Sequence, residues 1–391
     1  MAGLRVAIDA RFLGGERKGI GRYLHTLMAG MAVLENAPAF VLISDRQINA
    51  PYAPLETETI IAPARSIYTW EQLALPRILR RTGADVFHAP GNALPLNPPR
   101  TTVLTLHDTM MFVREFHTAG ANRYYAYQRW VLRRAARRCG RVVTVSRTSA
   151  EDAARVLGAA VAAKLTIIEE AVDPVFYERR ARAGIAALRE RLGLPGTYFL
   201  HFGAVFPRKN TRLVIDAYKR ALQNGVSAAL VVGGVSAADE AGLRSWFRDA
   251  DLGDRAVLVP YLPPAEHATL LAGALALIYP SAYEGFGLPA LEAMAAGVPV
   301  IASAGGALAE TCGDAAVMVD AEVEAVATAI GKMEVDPGLR GRLVAAGVAR
   351  AGRFTPRRMA ERTLAVYRVV AGRGAPGVAP AGPDSYNRTG S

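Results

Sequence analysis

The chain has 391 residues, 51% hydrophobic and 21% charged, enough for two or three domains with their own cores, which excludes a disulfide-stapled miniprotein and wholesale disorder. Cys139 and Cys312 stand far apart, so they supply neither a disulfide framework nor a cysteine zinc cluster. Of the net charge of +11, residues 1 to 195 carry 27 Lys+Arg against 17 Asp+Glu, and residues 196 to 391 carry 19 against 18, so the first half faces something anionic: nucleic acid, a phospholipid surface or a phosphorylated substrate.

In chain order, Met1 to Asp9 enters a strand pattern at once, and Asp9 interrupts any signal-like apolar run. Val6 to Ile8 reads as the first strand. It is followed by the glycine-rich Gly14 to Tyr23 and a helix from about Gly21 to Met31. As a dinucleotide fingerprint this loop fails, because the third glycine of GxGxxG would fall on Leu24, which disfavours a nicotinamide enzyme. Strands are expected at Val86 to His88, Val103 to Leu106 and Val142 to Val145, with helical patterns between them. Such alternation predicts a parallel sheet covered on both faces.

The pattern then restarts at Tyr198 to Gly203. A helix near Thr211 to Gln223 follows, then strands at Ala228 to Val232, Val257 to Val259, Ala274 to Tyr279 and Val298 to Ala302. Two doubly wound α/β domains are therefore expected, spanning 1–180 and 190–355, with the connection inside Glu178 to Pro195 and ligands at the carboxyl ends of the strands, between the domains. A last helix, about 356–371, is expected to pack back on the first domain, and 372–391 reads as a disordered tail. The tail's Asn387-Arg388-Thr389 matches a glycosylation sequon but lacks a secretory signal to support it. No segment offers the ~20 apolar residues of a membrane span; the uncharged Ala268 to Tyr283 contains Pro280 and Ser281. A cytoplasmic protein is expected, peripheral on the inner face of the plasma membrane.

The most informative stretch runs from Pro280 to Val300 as strand end, glycine turn, helix, glycine stop and next strand. Gly285 and Gly287 allow close backbone approach, and a helix opening at Leu288 points free N–H groups at the same spot, an arrangement that suits a diphosphate. Glu284 and Glu292, with seven residues between them, stand in a GFGLP…EAMA.G.PV frame. This frame resembles the signature of the retaining nucleotide-sugar glycosyltransferases of family four, which have the GT-B fold of two Rossmann-like domains. The resemblance runs from Arg5 to Tyr367 and implies that Glu284 contacts the transferred sugar and Glu292 the nucleotide ribose, with Phe286 and Leu288 in the donor site.

Other segments match in the same order. Gly203 precedes Pro207-Arg208-Lys209-Asn210, where two cations would hold the leaving diphosphate. Lys209 matches the family's lysine, whereas Ala204 stands where an arginine is usual, so the second cation is assigned to Arg208. Gly19 and Gly21 resemble the loop near the donor diphosphate, and Gly305 and Gly306 a loop passing the sugar; Glu310 reads as structural. His107 ends a strand where the family places a histidine against the donor sugar. His88 ends the preceding strand, and with Tyr68, Trp70 and Ser146 it is an acceptor-side candidate; Ser146 reads equally as a helix cap. The literal DxD at Asp249 and Asp251 reads as a solvated loop. Neither cofactor nor metal is expected, the nucleotide sugar being the co-substrate.

Trp130 to Arg141 reads WVLRRAARRCGR, and at helical spacing Trp130, Arg134, Arg137, Arg138 and Arg141 share a face, with Tyr124, Tyr125 and Tyr127 upstream. Such a face suits anionic lipid or a polyprenyl-diphosphate-linked saccharide acceptor. Nucleic acid has no supporting motif. Within the family the PRKN variant, the GIGRY start and the YEGFGLP core resemble bacterial mannosyltransferases of O-antigen and exopolysaccharide assembly, which makes GDP-mannose the first expected donor. UDP-glucose, UDP-galactose and dTDP-rhamnose use the same scaffold, and a non-catalytic nucleotide-sugar-binding scaffold is the alternative from another class.

Overall fold

In the computed structural model, which describes residues 3–15, 19–48, 52–92, 94–117 and 122–373, the chain divides into two units, residues 1–171 with 354–391, and residues 172–353. The tail after Arg373, with its sequon, and Glu16, Arg17 and Lys18 of the first glycine loop lie outside the described residues.

The first unit holds a seven-stranded parallel sheet in the order β3-β2-β1-β4-β5-β6-β7. Its strands are β1 (Arg5–Asp9), β2 (Ala39–Ser44), β3 (Thr57–Ile61), β4 (Val86–Ala89), β5 (Thr102–Leu106), β6 (Arg141–Thr144) and β7 (Leu165–Ile167). Alternate residues feed two separate cores: Val6, Ile8, Phe40, Leu42 and Val103 on one face, and Ala7, Val41, Ile43, Leu104 and Leu106 on the other. Period-2 side chains with both sets apolar give the sheet its two helical layers. The helices are α1 (Ile20–Ala32), α2 (Ile67–Thr69), α3 (Leu75–Leu79), α4 (Asn122–Arg138), α5 (Arg147–Leu157) and α6 (Ala159–Ala162), with a π-helical turn, Trp70–Ala74, between α2 and α3.

The second unit has a six-stranded parallel sheet, β10-β9-β8-β11-β12-β13, built from β8 (Tyr198–Phe202), β9 (Ala229–Val235), β10 (Ala256–Pro260), β11 (Ala276–Tyr279), β12 (Val300–Ser303) and β13 (Val317–Val319). Its helices are α7 (Arg182–Arg191), α8 (Thr211–Gln223), α9 (Ala237–Asp249), α10 (Pro264–Ala272), α11 (Leu288–Ala295), α12 (Gly306–Cys312), α13 (Val323–Val335) and α14 (Pro337–Ala351). The stretch expected to connect the domains differs: the chain leaves the first unit at Ala171, and Arg182–Arg191 is a helix of the second.

After α14 the chain re-enters the first unit as α15 (Pro356–Val370), whose Met359, Leu364, Val366 and Tyr367 join Leu24, Leu27 and Met31 of α1 in one core. Gly30 lets the two helices approach, since a Cβ there would lie 2.1 Å from the Pro356 carbonyl oxygen. No helix among the described residues is long and apolar enough to cross a membrane.

Candidate active site

In the second unit the site is assembled at the carboxyl ends of β8 and β11. Beyond β8, Pro207–Lys209 forms a 3-10 turn closed by Asn210 in the left-handed conformation at φ 52°. Asn210 donates its side-chain amide to the Pro280 carbonyl at 2.8 Å, and Ala282 N–H donates to the Arg208 carbonyl at 2.8 Å. These bonds lock the basic turn against the segment that follows β11. Gly287 then starts α11 at φ +104°, and any Cβ on it would stand 2.5 Å from Leu308; both conditions demand glycine.

Between these loops lies Glu284. Arg208 Nη1 donates to Oε2 at 2.9 Å, Lys209 Nζ to Oε1 at 2.8 Å, and the buried Tyr279 hydroxyl to Oε1 at 2.7 Å. Lys209 also bonds the Tyr279 hydroxyl and sits 4.7 Å from its ring centroid. Burial pushes the Glu284 carboxyl upward, but the charges of Lys209 and Arg208, with the bonds from Lys209 and Tyr279, overcome it and hold the pKa at about 2. Two cations facing one carboxylate leave a net positive centre, which suits a ligand with more than one negative charge.

Gly203 has a packing reason: a Cβ would meet the buried His201 ring at 2.8 Å and Thr211 at 2.9 Å. His201, absent from the sequence-based candidates, bonds the Ile278 carbonyl at 2.8 Å and the Thr211 hydroxyl at 3.1 Å, and burial lowers its pKa to about 4. Phe286 is buried, its carbonyl accepting from Thr311 at 2.6 Å, whereas Leu288 is half-buried. Glu292 is buried on α11, 3.9 Å from Nε2 of His267. Gly305 caps α12 at its N-terminus, with Gly306 its first residue. Asp249 ends α9 and bonds Arg212 at 3.4 Å, and among the described residues no three His, Cys, Asp or Glu stand together as a metal site.

In the first unit His107 follows β5. Its Nδ1 lies 2.6 Å from Glu170 Oε1 and its Nε2 2.8 Å from the Pro90 carbonyl, with Tyr23 edge-on at 4.6 Å. Both partners only accept, so a doubly protonated ring satisfies them. Burial opposes that charge, but the bond to Glu170, its charge and the Pro90 carbonyl raise the pKa above the usual histidine value. Folding stability from this pair is therefore full below the unfolded value of about 6.5 and is lost as pH rises through the folded value. Glu170→Gln is expected to lower stability by about 2 kcal/mol at pH 5.5 and by less at pH 9, measured by urea denaturation; an equal loss at both would refute a charged His107. Gly19 opens α1 at φ +41°, and Gly21 is buried in its first turn.

Two acceptor-side expectations are corrected, and for Ser146 the helix-cap reading stands. His88 is fully buried, with Nε2 2.9 Å from the Thr105 hydroxyl and Nδ1 2.6 Å from the Tyr367 hydroxyl, and burial drives its pKa to about 3; it ties α15 to the sheet. Trp70 is likewise fully buried, donating to Asp9 at 3.3 Å. Ser146 caps α5, accepting from Ser149 N–H at 3.0 Å. Tyr68 remains 43% exposed, edge-on to Tyr127. Trp130, Arg134, Arg137 and Arg138 are exposed on α4, but Arg141 lies on β6, off the helix. Tyr127 donates to Glu71 and Tyr125 stacks on His117, while Trp130 is exposed on the same helix as Arg134, Arg137 and Arg138.

The family profile described as glycosyl transferases group 1 matches residues 187–350, and that described as glycosyltransferase family 4 matches residues 17–176. The chain is similar to O-antigen chain mannosyltransferase B of Escherichia coli, with 29% identity over 73% of this chain and 74% of that protein. It is 31% identical to the lipopolysaccharide core biosynthesis mannosyltransferase LpcC of Rhizobium leguminosarum bv. viciae, over 69% and 74%. Identity to the D-inositol 3-phosphate glycosyltransferase of Acidothermus cellulolyticus is 33%, over 58% and 53%. Among solved structures, HepE of Anabaena in complex with UDP and glucose superposes with a TM-score of 0.69 at 17% identity, covering 92% of this chain and 98% of that one. WaaG, a glycosyltransferase involved in lipopolysaccharide biosynthesis, gives 0.71 at 15%, covering 94% and 100%. At these identities the likeness is one of fold.

Proposed function

Since the chain belongs to glycosyltransferase family 4, we propose that it transfers a hexose, with mannose from GDP-mannose as first choice, to a lipid-linked or oligosaccharide acceptor of a cell-surface polysaccharide, retaining the anomeric configuration. The observation that carries this reading is the Glu284 carboxylate held between Arg208, Lys209 and Tyr279. A donor diphosphate takes over the two cations, which neutralise it as it leaves. Glu284, released from them, holds the sugar. Glu292 binds the ribose, while the α11 N-terminus approaches the diphosphate.

In the transfer the acceptor hydroxyl oxygen bonds to the anomeric carbon on the face from which the phosphate oxygen departs, and the hydroxyl proton passes to that oxygen. Arg208 and Lys209 supply the positive charge, so the step is assigned no metal or cofactor. The mannosyltransferase relatives support mannose. A different hexose from UDP-glucose, UDP-galactose or dTDP-rhamnose is the second reading, favoured because the relatives include a 2-deoxystreptamine glucosyltransferase.

The experiment offers each donor with methyl pyranoside acceptors, follows nucleoside diphosphate release and reads the new anomeric coupling by NMR. GDP release with an α-linked product supports mannosyl transfer. UDP or dTDP release supports the second reading, a product whose anomeric configuration differs from that of its donor refutes retention, and no release from any donor leaves a binding scaffold. The exposed Arg134, Arg137 and Arg138 support contact of the first unit with anionic lipid. Replacing all three with Glu is expected to abolish cosedimentation with phosphatidylglycerol vesicles, and undiminished binding removes the contact.

A further inference from the structure

The turn between α2 and α3 buries an aromatic and a carboxylate side by side, Trp70 at 0% exposure and Glu71 at 3%. Pro76 explains the local geometry. It has no N–H, and in an α-helix its ring would collide with the carbonyl of Gln72, four residues earlier. The π-helical turn Trp70–Ala74 adds a residue there and relieves the clash. Such turns recur at functional sites.

The two carboxylates brought together here are not equivalent. Asp9, at the end of β1, is answered in full: Arg11 donates to it at 2.9 and 3.0 Å, and Trp70 at 3.3 Å, with Arg11 lying 5.1 Å from the Trp70 ring centroid. Glu71 accepts one hydrogen bond, from the Tyr127 hydroxyl to Oε2 at 2.9 Å. Its Oε1 has no donor among the described residues, in a side chain only 3% exposed. Tyr127 is itself fixed, accepting from Gln72 Nε2 at 2.9 Å, while Gln72 Oε1 accepts from Leu96 N–H at 2.8 Å. Beside Tyr127 stands the exposed Tyr68, edge-on with ring centroids 4.6 Å apart.

We infer that Glu71, presented by the π-helical turn and flanked by Tyr68 and Tyr127, binds ring hydroxyls of a neutral pyranoside, the sugar to which the hexose is transferred. The inference rests on the transferase reading and adds to it the recognising group and the chemical class it selects. Burial, aided by the charge of Asp9 and opposed by Tyr127 and Arg11, lifts the Glu71 carboxyl to about 7. Near neutrality it therefore both donates to and accepts from hydroxyls. The exposed Tyr68 ring offers an apolar face to the C–H face of a pyranose. A phosphate is a poor fit, because the free oxygen beside it belongs to a carboxyl group and the nearby Arg11 is already bonded to Asp9.

The test is saturation-transfer NMR at pH 7 with methyl α-mannopyranoside, methyl α-glucopyranoside and methyl α-galactopyranoside, with GDP or UDP saturating. At least one is expected to bind the full chain, and Glu71→Ala to weaken that binding about tenfold or more, with nucleotide-induced thermal stabilisation unchanged. Glu71→Gln, which keeps one acceptor and gains a donor, is expected to lose less. Binding of no pyranoside, or equal binding by wild type and Glu71→Ala, overturns the inference while leaving nucleotide binding intact. Failure of wild type to bind any nucleotide instead overturns the transferase reading. Should Glu71→Ala also lose nucleotide stabilisation, Glu71→Leu, which fills the same space without a polar group, decides: pyranoside binding equal to wild type overturns the inference, and weakened binding with a normal nucleotide shift supports it.

Discussion

Replacing Arg208 and Lys209 together with alanine is expected to lower kcat by about 10⁴- to 10⁶-fold, as the loss of two preorganised charges facing a departing diphosphate implies at about 10²–10³ each. The variant has a structural cost as well. Glu284 is 10% exposed and would be left without either cation, and removing one side of such a pair typically costs about 3–5 kcal/mol. A triple variant that also carries Glu284→Gln separates the effects: it removes the stranded charge, so thermal stability returns toward wild type while transfer does not. Recovery of transfer in the triple variant would mean that the cations serve the fold and not the leaving group.

Glu284→Gln alone is expected to act in opposite directions on two readouts. Transfer falls by about 10²- to 10³-fold, because a carboxylate assigned to the sugar has gone. Binding of the nucleoside diphosphate tightens by about 3- to 10-fold, since Arg208 and Lys209 no longer face a competing negative charge a hydrogen bond away. Calorimetry with the nucleoside diphosphate alone reads the second effect without the first. Weaker binding in this variant would show that Glu284 does not compete with the ligand for the cations. The depressed Glu284 pKa adds a stability term present above its unfolded value near 4.5 and lost as pH falls toward about 2, so this site opposes acid unfolding only across that interval.

The features readable from sequence are those with local causes. The βα alternation, the helix from Thr211 to Gln223, and the run from Pro280 to Val300 depend on period, glycine and proline within a few residues, and they stand where expected. The edge strand β3, TETII, has an exposed start and no alternation to mark it. The charge- and alanine-rich stretch after Glu178 holds α7, whose single buried residue, Leu188, gives a weak apolar face.

Pairings across the chain were not legible. His88 and His107 both end strands, and nothing local separates them. Tyr367, 279 residues away, closes one into the core, and Glu170, 63 residues away, sets the charge of the other. The frame marks Glu284 and Lys209, but the Tyr279 hydroxyl that joins them looks in sequence like one more apolar strand residue. Trp70 reads in sequence as an aromatic of the acceptor side, whereas the π-helical turn buries it beside Glu71. Period-based reading does not anticipate a turn with an extra residue.

The most direct measurement is calorimetric titration of the full chain with GDP, UDP and dTDP and the corresponding monophosphates, in wild type and in the triple variant whose stability is restored. One diphosphate is expected to bind with clear preference over its monophosphate, and the preference is expected to vanish when Arg208 and Lys209 are gone. Absence of diphosphate binding to the wild type, or a preference that survives the loss of both cations, would contradict the assignment of Arg208, Lys209 and Glu284 to the donor.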